Sequence, residues 1–408
     1  MASTLAIDGG TPVRDTLLPY GRHWIDEDDI AAVVDVLRSD WLTTGPAVGE
    51  FEAEFARVCG AACAVAVSNG TAALHAAMHA LGIGPGDEVI VPAMTFAASA
   101  NCVVYRGAVP VFADVEPDTL LIAPECVESK IGPRTRAVIA VDYAGQPCDY
   151  RALRDITARH GLALVADACH ALGGEYDGRP VGSLADLTAF SLHPVKHVTA
   201  GEGGVVTTDR DDLAARMRAF RSHGITADHR QREQAGSWYY EMVDLGYNYR
   251  LTDIQSALAM SQLRKLSGWI RRRREIAARY TDRLAAIPGV EPLAVRPGRG
   301  HAYHLFVIRL DPGVLAVGRE RIFKALRAEG IGVNVHYVPV HLHPFYRDRF
   351  GTGPGLCPVA ESAYESILSI PIFPGMADDD VDDVVTALEK VIRVYAGRAP
   401  ARVRHAAE

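Results

Sequence analysis

Residues 162–204 read LALVADACHALGGEYDGRPVGSLADLTAFSLHPVKHVTAGEGG. Two apolar runs of strand length, 162–166 and 187–190, each stop at a polar residue, Asp167 and Ser191. Lys196 lies between the second run and a glycine cluster. Outward from there, short β-branched stretches recur at 64–67, 88–91, 109–112, 137–141 and 205–208. Longer Ala- and Leu-rich segments, at 72–81 and 150–160, read as helices between them. This alternation predicts an α/β fold with right-handed crossovers, a mostly parallel sheet and helices on both faces. In such sheets ligands sit beyond the carboxyl ends of the strands, which is where Asp167, Ser191 and Lys196 fall.

The pattern changes after residue 210. Residues 222–244 are polar and turn-rich. Segments 251–266 and 270–287 read as two amphipathic helices. The second carries four arginines at 271–274, best read as a solvated face or subunit rim rather than an anion site. A Pro/Gly-rich connector at 288–300 follows, then strand 303–310, helix 319–328, strand 333–338 and helices near 359–366 and 378–395. The expected organisation is a large α/β domain over 1–268 that includes an N-terminal segment, a smaller α+β domain over 269–397, and a flexible tail at 398–408.

Composition narrows the class. With 49% hydrophobic and 23% charged residues in 408, the chain can bury full cores, and extensive disorder is excluded. A net charge of −8 gives no footing for a nucleic-acid backbone, and no apolar run of about 18 residues predicts a membrane span. The seven cysteines contain no CxxC and read as buried free thiols in a reducing compartment. The start, MASTLAIDGG, carries neither a basic nor an apolar leader segment, so a cytoplasmic protein is expected. Nothing in the sequence calls for a metal. The chain has five lysines against 37 arginines, so a lysine in a glycine-flanked turn stands out.

Four features fall at predicted strand ends. Ser68, Asn69, Gly70 and Thr71 open an Ala-rich helix, where free N–H groups and the helix dipole favour a phosphate; an N-cap turn without a ligand is the plainer reading. Asp167 ends an apolar strand and needs a partner, either a structural cation or a cationic ring nitrogen. Lys196, partly desolvated, can form a Schiff base. Tyr247, Asn248, Tyr249 and Arg250 precede a long helix, where an amide and a guanidinium can hold a phosphate or simply cap the helix. A phosphate cradle, a strand-end acid and a lysine about 30 residues on are together what pyridoxal phosphate requires: the acid keeps the pyridine nitrogen protonated and the lysine carries the cofactor and shuttles the proton.

The stretches SNGTAALHAAMHALGIGPGDEVIVPAMTF, VADACHALGG, SLHPVKHVTAGEGG and LGYNYRLTDIQSALAMSQL resemble the DegT/DnrJ/EryC1/StrS sugar aminotransferases, fold-type I pyridoxal phosphate enzymes. PYGRHWIDEDDI, LRSDWLTTGP, AGQPCDY, SHGIT with WYYE, and GVNVHYVPVHLHPFYR resemble the branch that aminates C4 of UDP-4-keto-6-deoxy-N-acetylhexosamines in pseudaminic-acid-type synthesis. The resemblance implies that Lys196 is the Schiff-base lysine, Asp167 the pyridine-nitrogen partner, His170 the neighbour of the ring hydroxyl and Phe96 the aromatic on the ring face. It assigns Gly70, Thr71 and Ser191 to the phosphate cradle. Asn248 would reach the phosphate of the neighbouring subunit with Arg250 close by, which implies a homodimer with shared sites. Thr44, His336 and Tyr337 become candidate sugar contacts, though His336 reads equally as a hydrogen-bonded strand histidine. The implied reaction takes an amino group from an amino acid, by analogy L-glutamate, to the C4 ketone of a nucleotide sugar. The alternatives are a dTDP-keto sugar or a cyclitol ketone, the 3-dehydratase branch in which His replaces the lysine, and a non-catalytic cofactor-binding regulator.

Overall fold

The computed structural model describes residues 4–227, 232–233 and 235–396. The alternating region builds strands β1 (Cys63–Val67), β2 (Glu88–Pro92), β3 (Val109–Ala113), β4 (Thr135–Val141), β5 (Ala163–Asp167), β6 (Glu175–Tyr176), β7 (Arg179–Pro180), β8 (Leu187–Ser191) and β9 (Gly204–Thr208). Seven of them form one sheet in the order β1-β9-β8-β5-β4-β2-β3. Neighbours from β8 through β3 run parallel, and β9 is antiparallel to both β1 and β8. The mostly parallel α/β sheet expected from the alternation is present.

Helices α1 (Glu27–Leu37), α2 (Pro46–Cys59), α3 (Gly70–Ala80), α4 (Ala98–Tyr105), α5 (Pro124–Ser129), α6 (Tyr150–His160) and α7 (Asp211–Phe220) accompany these strands. Alanines at 66, 137, 140, 166 and 189 have no exposed surface, so the sheet faces are smooth enough for close packing. Helix α3 is buried on every side, with only Thr71 of its eleven residues outside the buried class. A helix apolar all round belongs in a core, and here it drives its N-terminus into the strand-end edge of the sheet.

The next helix, α8 (Asp253–Leu284), corrects the expectation of two helices at 251–266 and 270–287: it runs 32 residues without interruption. Gly268 costs about 1 kcal/mol in a helix interior. That is offset by burial of Leu263, Leu266 and Ile270 on one side and Ile276, Tyr280 and Leu284 on the other. The arginine run is corrected as well. Arg273 is buried and donates to the carbonyls of Tyr303 and Ile372, Arg274 donates to that of His301, and Arg272 pairs with Asp378.

The C-terminal part adds β10 (Val290–Pro292), β11 (Arg299–Gly300), β12 (Phe306–Leu310) and β13 (Ile367–Ile370), of which β10, β12 and β13 form a second sheet. The strand expected at 303–310 begins later because Ala302 and Leu305 donate instead to the carbonyls of Gly145 and Ala144. The strand expected at 333–338 is reduced to one bridge, Asn334 to Ser369, beyond which the chain leaves the sheet for the strand-end cleft. Helices Arg319–Ala328, Pro358–Ser366 and Asp378–Tyr395 lie close to their expected positions.

Two side-chain cores result, and α8 contributes Leu266 and Ile270 to the first and Ile276 onward to the second. The expected boundary at 268/269 therefore falls inside a helix. Leu5 and Leu18, expected with the large domain, pack into the second core. The tail expected at 398–408 lies outside the described residues. Among the described residues no helix is long and apolar enough to cross a membrane, and all seven cysteines are free thiols.

Candidate active site

The carboxyl ends of β5 and β8, adjacent strands in the sheet, open into a cleft of about 750 Å³. Gly70, Thr71, Phe96, Asp167, His170, Ser191, Lys196, His336 and Tyr337 all line it. Three expected residues do not. Thr44 is half-buried near the start of α8, its hydroxyl on its own neighbour's carbonyl; Asn248 is exposed and Arg250 is half-buried in the segment before α8.

Asp167 is 6% exposed. Its Oδ2 accepts from Ser99 Oγ at 2.6 Å, its Oδ1 accepts from the Cys169 amide at 3.2 Å, and Ser99 is linked to Thr95 Oγ1 at 2.7 Å. Among the described residues no cation forms a salt bridge with it, so the plain alternative of a structural ion pair fails. A buried carboxylate held only by neutral donors is a costly arrangement that favours a cation at its open face.

Lys196 lies in the turn after β8, with Nζ 3.3 Å from His304 Nε2. Burial lowers its ammonium below the usual lysine range, with Cys169 and Asp167 opposing. The surrounding imidazoles are held neutral: burial first, then the Lys196 charge, pushes His170 and His304 well below the usual histidine range. Burial also raises the Tyr337 phenol, so its hydroxyl keeps its proton, and it is hydrogen-bonded to His170 Nε2 at 3.0 Å. The His170 Nδ1 has no hydrogen-bond partner among the described residues.

The phosphate-type cradle is built by close approach. Asn69 caps α3, its side chain accepting from the Ala72 amide at 2.8 Å, which leaves the Gly70 and Thr71 amides free of intrahelical acceptors. A Cβ on Gly70 would lie 2.9 Å from the Ser191 Cβ, and one on Gly204 would lie 2.3 Å from the Asn69 carbonyl oxygen. Only glycine lets the helix start, the end of β8 and the start of β9 converge there. Phe96 is 60% exposed at the cleft mouth, its ring 5.9 Å from that of Tyr337, so it is not a core phenylalanine. His336 is satisfied by Ser369 Oγ and Asn334, as the strand-histidine reading expects, although it faces the cleft.

A carboxylate awaiting a cation, a desolvated lysine on the neighbouring strand end and an anion cradle form one chemical unit. The model of the DegT/DnrJ/EryC1/StrS aminotransferase family matches residues 23–389. The chain belongs to this family. Like other DegT/DnrJ/EryC1/StrS members, it is a sugar aminotransferase that depends on pyridoxal phosphate. It is 43% identical to the spore coat polysaccharide biosynthesis protein SpsC of Bacillus subtilis (strain 168) over 383 residues, 93% of this chain and 98% of SpsC. It superposes with a TM-score of 0.87 on the PLP form of Spr1654, a putative sugar aminotransferase from Streptococcus pneumoniae, at 32% identity over 93% of this chain and 99% of that one. DesI, solved in the presence of its TDP-sugar product, gives a TM-score of 0.85 at 34% identity over 96% of this chain and 97% of DesI.

The cleft fits the cofactor of the DegT/DnrJ/EryC1/StrS family: free helix-start amides for a phosphate, Asp167 without a salt-bridge partner for a ring cation, and the buried, unpartnered His170 Nδ1 for a polar ring substituent. His304, Ser99 and Thr95 were not singled out from the sequence. Their only local signals are the i, i+4 spacing of Thr95 and Ser99, and a histidine just before the apolar run 305–310.

Proposed function

We propose that this aminotransferase moves the amino group of L-glutamate to the C4 ketone of a UDP-linked 4-keto-6-deoxy-N-acetylhexosamine in the cytoplasm. The observation that carries the chemistry is the pairing of Lys196 with a buried Asp167 that has no salt-bridge partner among the described residues, on adjacent strand ends. Bound pyridoxal phosphate supplies an electron sink for carbanion formation next to the transferred nitrogen. Lys196 holds the cofactor and moves a proton to and from the reacting carbon. Asp167, oriented by Ser99, keeps a positive ring nitrogen in place. Gly70, Thr71 and Ser191 bind the phosphate, Phe96 covers one ring face and His170 donates to the ring oxygen. Thr44, His336 and Tyr337 are proposed as sugar contacts.

The site is proposed to be completed in a homodimer, with Asn248 and Arg250 of each copy serving the phosphate of the other. This is supported by the exposure of Asn248 and by a neighbouring apolar surface that includes Trp238 at 86% and Leu245 at 71% exposed. The chain is proposed to divide into a large cofactor-binding unit ending near 268 and a smaller unit over 269–397, supported by the change of core along α8.

The UDP-hexosamine reading rests on the branch-specific segments, including 332–347, which supplies His336 and Tyr337 to the cleft. The TDP-sugar reading is favoured by the likeness to DesI. His197, the histidine beside the lysine, donates through Nε2 to the Ala302 carbonyl away from the cleft, which disfavours a dehydratase role. The test is formation of 2-oxoglutarate from glutamate with a panel of UDP- and dTDP-linked 4-keto sugars. Turnover with the UDP-N-acetylhexosamine alone supports the proposal. Turnover only with dTDP sugars overturns the substrate, and none with any ketone favours a regulator.

A further inference from the structure

Among the described residues His304 is the one side chain hydrogen-bonded to the Lys196 amine, and the fold goes to some length to put it there. The backbone reaches it through Tyr303, whose φ of 49° is left-handed, and Leu305 is pinned to the Ala144 carbonyl. Gly145 makes this path possible: a Cβ there would lie 2.8 Å from the Tyr303 amide and 3.0 Å from that of His304. The ring is 5% exposed and wedged between His170, 4.3 Å away, and His197, 5.7 Å away.

We propose that His304 is a positioning residue for Lys196: its neutral ring accepts an N–H from Nζ through Nε2, fixing where the amine and its proton point. The proposal rests on Lys196 being the proton-moving lysine.

Burial and the charged or titratable groups around the ring enforce its neutrality. Lys196 and His197 face it from the turn after β8, His170 from the turn after β5, and Arg273 from α8. The nearby carboxylate, Asp167, is engaged by Ser99 and the Cys169 amide. A lysine that alternately holds and releases a proton needs an environment that favours neither form outright. An apolar wall would only expel the ammonium, and a carboxylate would trap it. A neutral acceptor steadies the ammonium with one hydrogen bond and adds no charge.

The test compares two amides of equal polarity and different reach. In His304→Gln the carbonyl oxygen can occupy the place of Nε2; in His304→Asn it stops near the place of Nδ1. Full-length protein stripped of cofactor is labelled with trace acetic anhydride across pH, and modification of Lys196 is followed by peptide mass mapping, with the other four lysines as internal references. The Lys196 titration midpoint should move about one pH unit lower in His304→Asn and stay at the wild-type value in His304→Gln. In the loaded enzyme, kcat should fall about tenfold or more in His304→Asn with KM for the keto sugar unchanged, and recover in His304→Gln. Coincident midpoints in all three proteins, or an upward move in His304→Asn, would overturn the proposal. Borohydride reduction of the holoenzyme keeps the two claims apart: pyridoxyl label on another lysine sinks the role of Lys196 while leaving the labelling comparison intact.

Discussion

A buried carboxyl whose hydrogen bonds come only from neutral donors costs stability until a cation pairs with it. Asp167 is in that position, so it is a residue kept at the expense of the cofactor-free fold. Replacing it by Asn keeps the shape and removes the charge. Asp167→Asn should melt at the same temperature as the wild type or higher when both lack cofactor, and lose at least about a hundredfold in turnover. Near-normal turnover would reduce Asp167 to a structural role. Asp167 and Lys196 could be picked out from sequence because one ends a strand and the other lies in the turn after the neighbouring strand, where the ends of a parallel sheet open. Ser99 and His304 could not. Ser99 is 68 residues from the carboxylate it orients and His304 is 108 from the lysine it touches, and no local pattern carries such separations.

At the scale of elements, helix starts decide two assignments. Thr252 caps α8 in a full capping box with Gln255, so Asn248 is not the cap of that helix. Thr252→Ala should therefore cost about 1 kcal/mol in urea unfolding, whereas Asn248→Ala should leave the midpoint unchanged and weaken cofactor binding. If Asn248 acts across the dimer, mixing inactive Lys196→Ala and Asn248→Ala proteins under subunit exchange should restore part of the activity, because one site of the mixed dimer is then intact. Exchange without recovery would place Asn248 outside the phosphate site. Most strands and helices of the alternating region were legible within a residue or two, since burial on both faces leaves uninterrupted apolar runs. The segment after Gly332 was misread because Val333, Val335 and Val338 are β-branched like those of a strand, yet the backbone pairs only at Asn334 with Ser369 and the side chains of 334–337 line the cleft.

Across the whole molecule, the histidines set the response to acid. Burial lowers His75 to about 4 and both His301 and His336 to about 3, against an ordinary value of 6.5. Unfolded, these rings take up protons near pH 6.5; folded, they do so only near pH 3–4. The stability they confer is complete above pH 6.5 and is lost as the pH falls through that window. Asp142, raised by burial to about 7, acts in the opposite sense, but it is one group against three. The urea midpoint should fall steadily from pH 7 to pH 5, and His75→Gln should make that decline shallower. A midpoint flat over this range would show that the rings remain protonatable in the folded state.

Helix α8, about 48 Å long at 1.5 Å per residue, is held by one core over its first half and by the other over its second. A rod gripped at both ends ties the melting of one half of the molecule to the melting of the other. Heating should give a single calorimetric transition whose van't Hoff and measured enthalpies agree. Gly268→Pro, which breaks the rod at its midpoint for about 3 kcal/mol, should split that one transition into two.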